Sequence, residues 1–311
     1  MIHIACCSNE KLAPIFGVVV TSVGINVTSD KVTMYLLHNG LKDSTVKRLQ
    51  KIADKYNVGL KFLKIDSEIL KDCPVDNTIH YGNIMMYARL LLPSMLPHLN
   101  KVVYLDCDLV VLQDLKSLWA TDVNEMAVAM APDYYYNDNE TLGRLEIAGG
   151  KYLNSGVIVM NLDYWRRHNI QKEVLAYIVK NRDRIIYPDQ DALNVVLKNE
   201  HKELPMKYNI TPFHFYKNLE HFPKGRYEEI AEARRSPVIF HYMGTIKPWS
   251  LGRYVPGKEL FLKFQRLSGW RHVVVQKYIF KRLLYMTFPF FKKKAWENKT
   301  YIDGWERFYS N

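Results

Sequence analysis

Val102-Val103-Tyr104-Leu105-Asp106-Cys107-Asp108 is an apolar run that ends in two carboxylates one residue apart. Short, β-branched at its start and apolar throughout, the run predicts a strand buried on both faces. Acids at the end of such a strand stand at the rim of a sheet. The local turn there lets alternate residues reach one hard divalent ion, whose charge offsets the oxygens of a diphosphate. Acidic pairs after strands also occur in plain turns and helix caps, so the meaning of this one rests on its surroundings.

Upstream, residues 2–6, 32–37 and 59–63 are further strand candidates. Between them, residues 14–24 and 44–56 read as helices, the second because Val46, Leu49, Ile52 and Ala53 recur at helical spacing. This alternation predicts an α/β domain with helices on both faces of a sheet and a nucleotide at the carboxyl ends of its strands. Residues 83–92 predict a helix that carries Arg89 and is bounded by Pro93 and Pro97. Downstream come the apolar runs 109–112 and 126–131, then a polar stretch, 134–150, that opens on three tyrosines and reads as a loop able to order over a substrate. Residues 156–162 predict another buried strand, Asp163 a helix cap, and 238–241 a late strand returning to the sheet.

The chain has 311 residues and 48% hydrophobic content, enough for a full core without help from a metal or disulfides. Its four cysteines show neither zinc-ligand spacing nor a disulfide framework, and the start reads directly as a strand rather than a secretory signal; a reducing, cytoplasmic location is expected. No run of eighteen apolar residues is present, so no membrane span is expected. The net charge is +11 and the pI about 9.3. From Lys263 onward eleven lysines and arginines stand against three acids, a surplus of 8. A nucleic-acid binder should instead spread its basic residues over the body. The expected organisation is a catalytic domain over 1–269 and a basic, aromatic, amphipathic tail over 270–311. In the tail Phe290-Phe291-Lys292-Lys293-Lys294-Ala295-Trp296 joins apolar anchors to a cationic cluster suited to an anionic membrane surface.

Far from the acidic pair stands Phe240-His241-Tyr242-Met243-Gly244-Thr245-Ile246-Lys247-Pro248-Trp249. His241 at the end of a strand offers an imidazole, and with Asp106 and Asp108 would make an oxygen-plus-nitrogen shell suited to Mn²⁺, with Mg²⁺ as the weaker alternative. Gly244 permits close backbone approach to a phosphate and Lys247 supplies a point charge. Asp189-Gln190 precedes a helical pattern, where Asp189 reads equally well as a helix cap.

Taken in order, these segments resemble glycosyltransferase family 8, and within it the bacterial lipooligosaccharide α-galactosyltransferases. The resemblance runs from the first strand to about Trp249. It is carried by Tyr87-Ala88-Arg89-Leu90, Tyr104-Leu105-Asp106-Cys107-Asp108, Leu153-Asn154-Ser155-Gly156-Val157, Asn161-Leu162, Trp165-Arg166-Arg167-His168, Asp189-Gln190-Asp191 and His241-Tyr242 through Lys247-Pro248-Trp249. It implies a single GT-A-type, Rossmann-like domain with a mixed central sheet, and a retaining transferase that takes a hexose from a UDP-sugar. By resemblance Asp106, Asp108 and His241 would hold the metal, with Asp106 also among the donor contacts. Gly244 and Lys247 would hold the diphosphate. Arg89, Asn154, Asp189 and Gln190 would grip the transferred sugar, Asp189 and Gln190 being the catalytic candidates. Cys7-Ser8-Asn9-Glu10-Lys11 stands where the family usually carries an acidic pair and an aromatic residue near the uridine, leaving Ser8 or Asn9 to meet the base. The expected product is lipopolysaccharide or another cell-surface glycan. The alternatives are a protein-linked acceptor and a catalytically silent nucleotide-sugar-binding homologue.

Overall fold

A computed structural model describes residues 1–76, 83–147, 151–250 and 255–270. Its strands are β1 (Ile2–Cys7), β2 (Val32–His38), β3 (Gly59–Lys64), β4 (Lys101–Leu105), β5 (Leu109–Val111), β6 (Val128–Pro132), β7 (Leu153–Asn161), β8 (His201–Glu203) and β9 (Ile239–His241). The helices are α1 (Ala13–Asn26), α2 (Asp43–Lys55), α3 (Leu92–Met95), α4 (Lys116–Trp119), α5 (Asn139–Leu145), α6 (Leu162–Arg167), α7 (Ile170–Lys180), α8 (Pro188–Val196), α9 (Tyr227–Arg235) and α10 (Lys258–Ser268).

Seven strands form one sheet in the order β3-β2-β1-β4-β7-β6-β8. The pairs β1–β2, β2–β3, β1–β4 and β6–β8 are parallel, whereas β7 is antiparallel to both β4 and β6. The chain winds outward from β1 to β3 and then crosses back to β4 on the other side of β1. That reversal opens a crevice beyond the carboxyl ends of β1 and β4, where α/β sheets bind ligands. Side chains alternate across the sheet: Ile4, Val103, Leu105, Val157 and Val159 pack on one face with Phe16, Val19 and Leu49, while Val102, Tyr104, Ile158 and Met160 pack on the other with Tyr87, Leu90 and Trp165. Two covered faces explain why β4 is apolar from Val102 to Leu105 and β7 from Val157 to Met160.

Several elements depart from the sequence reading. The Arg89 segment is a 3₁₀ helix over Ile84–Leu91, capped by the Asn83 side chain on Met85 N–H, and it runs into α3. The 238–241 strand does not return to the main sheet: β9 pairs antiparallel with β5 in a separate two-stranded ribbon. Asn161, not Asp163, caps α6, accepting from Tyr164 N–H. The tyrosine stretch is not a plain loop. Tyr135 stacks on Phe213 with ring centroids 3.7 Å apart, and α5 follows behind an Asp138 cap. All four cysteines are free. Gly269 ends α10 in a left-handed conformation and Trp270 packs back on the domain, its ring under the Arg48 guanidinium. The rest of the expected tail, 271–311, lies outside the described residues, as do Tyr81, Gly82 and the end of the 134–150 stretch. Among the described residues no helix is long and apolar enough to cross a membrane.

Candidate active site

Asp106 leaves the end of β4 with its N–H donating to Gly156 O at 2.8 Å, which ties the turn to β7. Its Oδ1 accepts from Tyr104 OH at 2.8 Å and Arg89 Nη2 at 2.9 Å, so Oδ2 is the atom turned toward His241. The β5–β9 ribbon delivers that histidine. Leu109 pairs with His241, and Tyr242 N–H donates to Asp108 O at 2.8 Å. His241 Nε2 then stands 3.3 Å from Asp108 Oδ1 and 3.7 Å from Asp106 Oδ2. One ligand atom from each of the three residues lies within 4.8 Å of the others. Two carboxylate oxygens and an imidazole nitrogen converging in this way fit a divalent cation. Burial works against the Asp108 charge, but Lys247 and His241 outweigh it and hold the carboxyl well below its ordinary range.

Beside this cluster lies a buried polar layer. Arg89 donates from Nη1 to Ser155 O at 2.6 Å and pairs with Asp189 Oδ2 at 3.1 Å, while Nη2 holds Asp106. Burial disfavours the guanidinium charge, and the two carboxylates more than restore it. Asp189 is pushed up to about 6, first by burial and then by Asp106, with Arg89 opposing. It is not the N-cap: the residue before α8 is Tyr187, and Asp191 binds the free amides of Ile186 and Tyr187. Asp191 is also held by Arg144 and Tyr152, so this fully buried acid anchors α8. Gln190 Oε1 accepts from Ser155 N–H at 3.0 Å and Asn154 Nδ2 at 3.1 Å, and its Nε2 donates to Asp133 Oδ2 at 3.0 Å. The other Asp133 oxygen is buried without a partner. So is His214 Nε2, and both residues line one small cavity with Tyr135, Asn154, Phe213 and Met243.

The remaining expected residues stand at the same rim. Ser8 and Asn9 follow β1, but both are engaged locally: Ser8 Oγ donates to Asn9 O, and Asn9 Oδ1 accepts from Leu12 N–H at 3.0 Å ahead of α1. Gly244 has φ +98°, a left-handed value that favours glycine, and Lys247 Nζ reaches Asp108 Oδ2 and Tyr242 O. Hydrogen bonds and ion pairs therefore join Arg89, Asp106, Asp108, Asn154, Asp189, Gln190, His241 and Lys247 into one array, while Ser8 and Asn9 follow the end of β1 and Gly244 stands three residues after His241. The structure adds Asp133, Tyr104 and Asn209, to which the sequence reading assigned no role. Asp133 follows the apolar strand β6 as Asp106 follows β4, so the same strand-end signal was available for it. Asn209 carries no local signal. A larger groove between Pro93, Trp165, Arg166 and Leu175 shares no residue with this site.

Comparison with known proteins fits this arrangement. The chain is similar to General stress protein A of Bacillus subtilis (strain 168), 26% identical over 279 residues that span 88% of this chain and 96% of that one. It is similar to a lipopolysaccharide 1,2-glucosyltransferase of Escherichia coli, 28% identical over 280 residues, 86% of this chain and 80% of that one. Its fold matches the crystal structure of the galactosyltransferase LgtC in complex with donor and acceptor sugar analogues, with a TM-score of 0.79 at 24% identity over 88% of this chain and 100% of that chain. The mixed sheet is thus the expected GT-A type. The family model described as glycosyl transferase family 8 matches residues 3–251, from β1 through the His241-to-Lys247 segment, and the chain belongs to that family and is a glycosyltransferase.

Proposed function

We propose that this enzyme transfers a hexose, galactose or glucose, from a UDP-sugar to a cell-surface glycan acceptor of the lipopolysaccharide class, retaining the anomeric configuration. The observation that carries the reading is the convergence of Asp106, Asp108 and His241 at the crevice beyond β1 and β4, with Lys247 against Asp108. These three residues would hold Mn²⁺, or Mg²⁺ in its place, which would supply positive charge to the diphosphate leaving group. Lys247 adds a second positive charge there, and Gly244 lets the backbone come close to a phosphate. Arg89 holds Asp106 and Asp189 in one buried array, so the transferred sugar meets Asp189, Gln190 and Asn154 beside the diphosphate. Gln190 is an amide and takes no proton. As the family resemblance implies, the donor's own phosphate oxygen would accept the proton of the acceptor hydroxyl, on the face from which the nucleotide departs, and Gln190 would stabilise the cationic sugar. The free Asp133 oxygen is available to a sugar hydroxyl. Ser8 or Asn9, which follow β1, would meet the base; Asn9 Oδ1 is taken by Leu12 N–H, which leaves its Nδ2 amino group for the uracil edge.

The sugar and acceptor classes rest on the relatives, among them lipopolysaccharide glucosyl- and galactosyltransferases. The basic tail of residues 270–311 places the enzyme at the cytoplasmic face of an anionic membrane, next to a lipid-linked acceptor. A donor screen tests the reading: protein with Mn²⁺ is incubated with a panel of nucleotide sugars and release of free nucleotide is followed. UDP-galactose or UDP-glucose should be hydrolysed or transferred ahead of GDP- and CMP-sugars. Release from none of the panel would mean a catalytically silent homologue, and transfer to a glycoprotein in preference to lipopolysaccharide would overturn the acceptor class.

A further inference from the structure

Asn209 lies in an irregular segment between β8 and β9, outside every motif of the sequence, yet its buried side chain joins the two halves of the site. On one side it meets Asn154 Oδ1 at 2.7 Å through Nδ2; on the other its Oδ1 is 2.9 Å from His241 Nδ1. The direction of each bond follows from backbone amides, which only donate. Gly156 N–H reaches Asn154 Oδ1 at 2.9 Å, so that atom is the amide oxygen. Asn209 must turn its NH₂ toward it and its own oxygen toward His241. An amide oxygen only accepts; His241 Nδ1 therefore carries the proton, and a neutral ring keeps its lone pair on Nε2, the atom facing Asp106 and Asp108. Ser155 N–H orients the second branch in the same way, through Gln190 Oε1 to Gln190 Nε2 and Asp133.

With two carboxylates near Nε2, an unrestrained imidazole gains by placing its proton there and donating to them. In that tautomer it is no metal ligand. We propose that Asn209 is a positioning residue that locks His241 in the Nδ1–H tautomer, presenting a lone pair at Nε2 to a divalent cation, and that it couples this tautomer to the orientation of Asn154 and hence of the Gln190–Asp133 pair. The proposal rests on the reading of Asp106, Asp108 and His241 as metal ligands. A hydrogen-bond partner of this kind is worth about 10–100-fold in metal affinity.

Two measurements on the full-length protein separate the proposal from that reading. Long-range ¹H–¹⁵N NMR of the metal-free protein above pH 8 reads the His241 tautomer directly, with or without metal chemistry. The wild type should show a protonated Nδ1 and an unprotonated Nε2, and a proton on Nε2 in the wild type overturns the proposal. Calorimetry with Mn²⁺ reads affinity. Asn209→Ala should bind Mn²⁺ about 10–100-fold more weakly and move the His241 proton toward Nε2. Asn209→Asp keeps an acceptor for Nδ1 but loses the donor to Asn154, so it should hold the tautomer and keep Mn²⁺ affinity within a few-fold while kcat falls. Equal Mn²⁺ affinity in wild type and Asn209→Ala, or equal loss in Asn209→Ala and Asn209→Asp, refutes the positioning role. A wild type that shows the Nδ1–H tautomer and binds no Mn²⁺ refutes the metal reading and, with it, the role assigned to Asn209.

Discussion

Replacing Gly156 with alanine tests whether His241 owes its place to the missing side chain beneath it. A Cβ at position 156 would lie 2.3 Å from His241 Cε1, 2.8 Å from Nδ1 and 3.0 Å from Asn154 Oδ1. The ring has little freedom to retreat, being buried, bonded to Asn209 and fixed to a strand that pairs with β5. Restoring ordinary carbon contact at about 3.5 Å requires the imidazole or β7 to move by roughly 1 Å. Overpacking on that scale costs about 1–3 kcal/mol, and each kcal/mol lowers the melting temperature of a domain this large by about 2–4 °C. The same displacement carries Nε2 away from Asp106 and Asp108, so Mn²⁺ affinity should fall at least about tenfold. Calorimetric titration with Mn²⁺ and thermal denaturation read the two effects separately. Gly143→Ala is the matched control: a Cβ there meets nothing within 4 Å, and alanine in α5 should be neutral or stabilising by about 0.5–1 kcal/mol. A Gly156→Ala protein with wild-type Mn²⁺ affinity and melting temperature would show that His241 does not sit over β7 as described.

Chelation, or Asp108→Asn, should lower sugar transfer about a hundredfold or more, and transfer at the normal rate in either case removes the metal assignment. Lys247→Ala should weaken binding of both UDP and UDP-sugar, whereas Gln190→Ala should depress kcat more than donor binding; unchanged UDP affinity in Lys247→Ala contradicts the phosphate role. His214 is pushed down to about 3, by burial and then by Arg234. The unfolded chain therefore binds the extra proton below about pH 6.5, and stability should fall as pH drops from there toward 3, by up to about 1.4 kcal/mol per pH unit. His214→Asn, which keeps an acceptor for Thr211 N–H, should flatten that acid limb in melting curves, and an unaltered limb would refute the assignment. The intact protein should sediment with anionic but not neutral vesicles and release at high salt, and truncation after Trp270 should abolish binding while sparing transfer to a soluble acceptor; equal recovery of both forms in the supernatant rejects the membrane role.

The amino-acid sequence by itself determined the α/β class and the acidic end of β4, because strand and helix periods, and the acids that end a strand, are local patterns within a few residues of one another. The same locality marks Arg89, Asp189, Gln190 and the His241-to-Lys247 segment as chemistry-bearing, with resemblance supplying their company. What each of these side chains touches was decided only in three dimensions. His241 reaches Asp108 because β9 pairs with β5 rather than with the main sheet, and nothing in residues 238–241 distinguishes those two edges. Arg89 becomes a strut between Asp106 and Asp189, and Asp191 rather than Asp189 holds the start of α8, because the choice between neighbouring acids depends on which one the fold buries against Arg144 and Tyr152. Asn209 is the extreme case. Its role exists only where the end of β7 and the segment before β9 come together, since the direction of its hydrogen bonds is set by backbone amides more than fifty residues away in the chain.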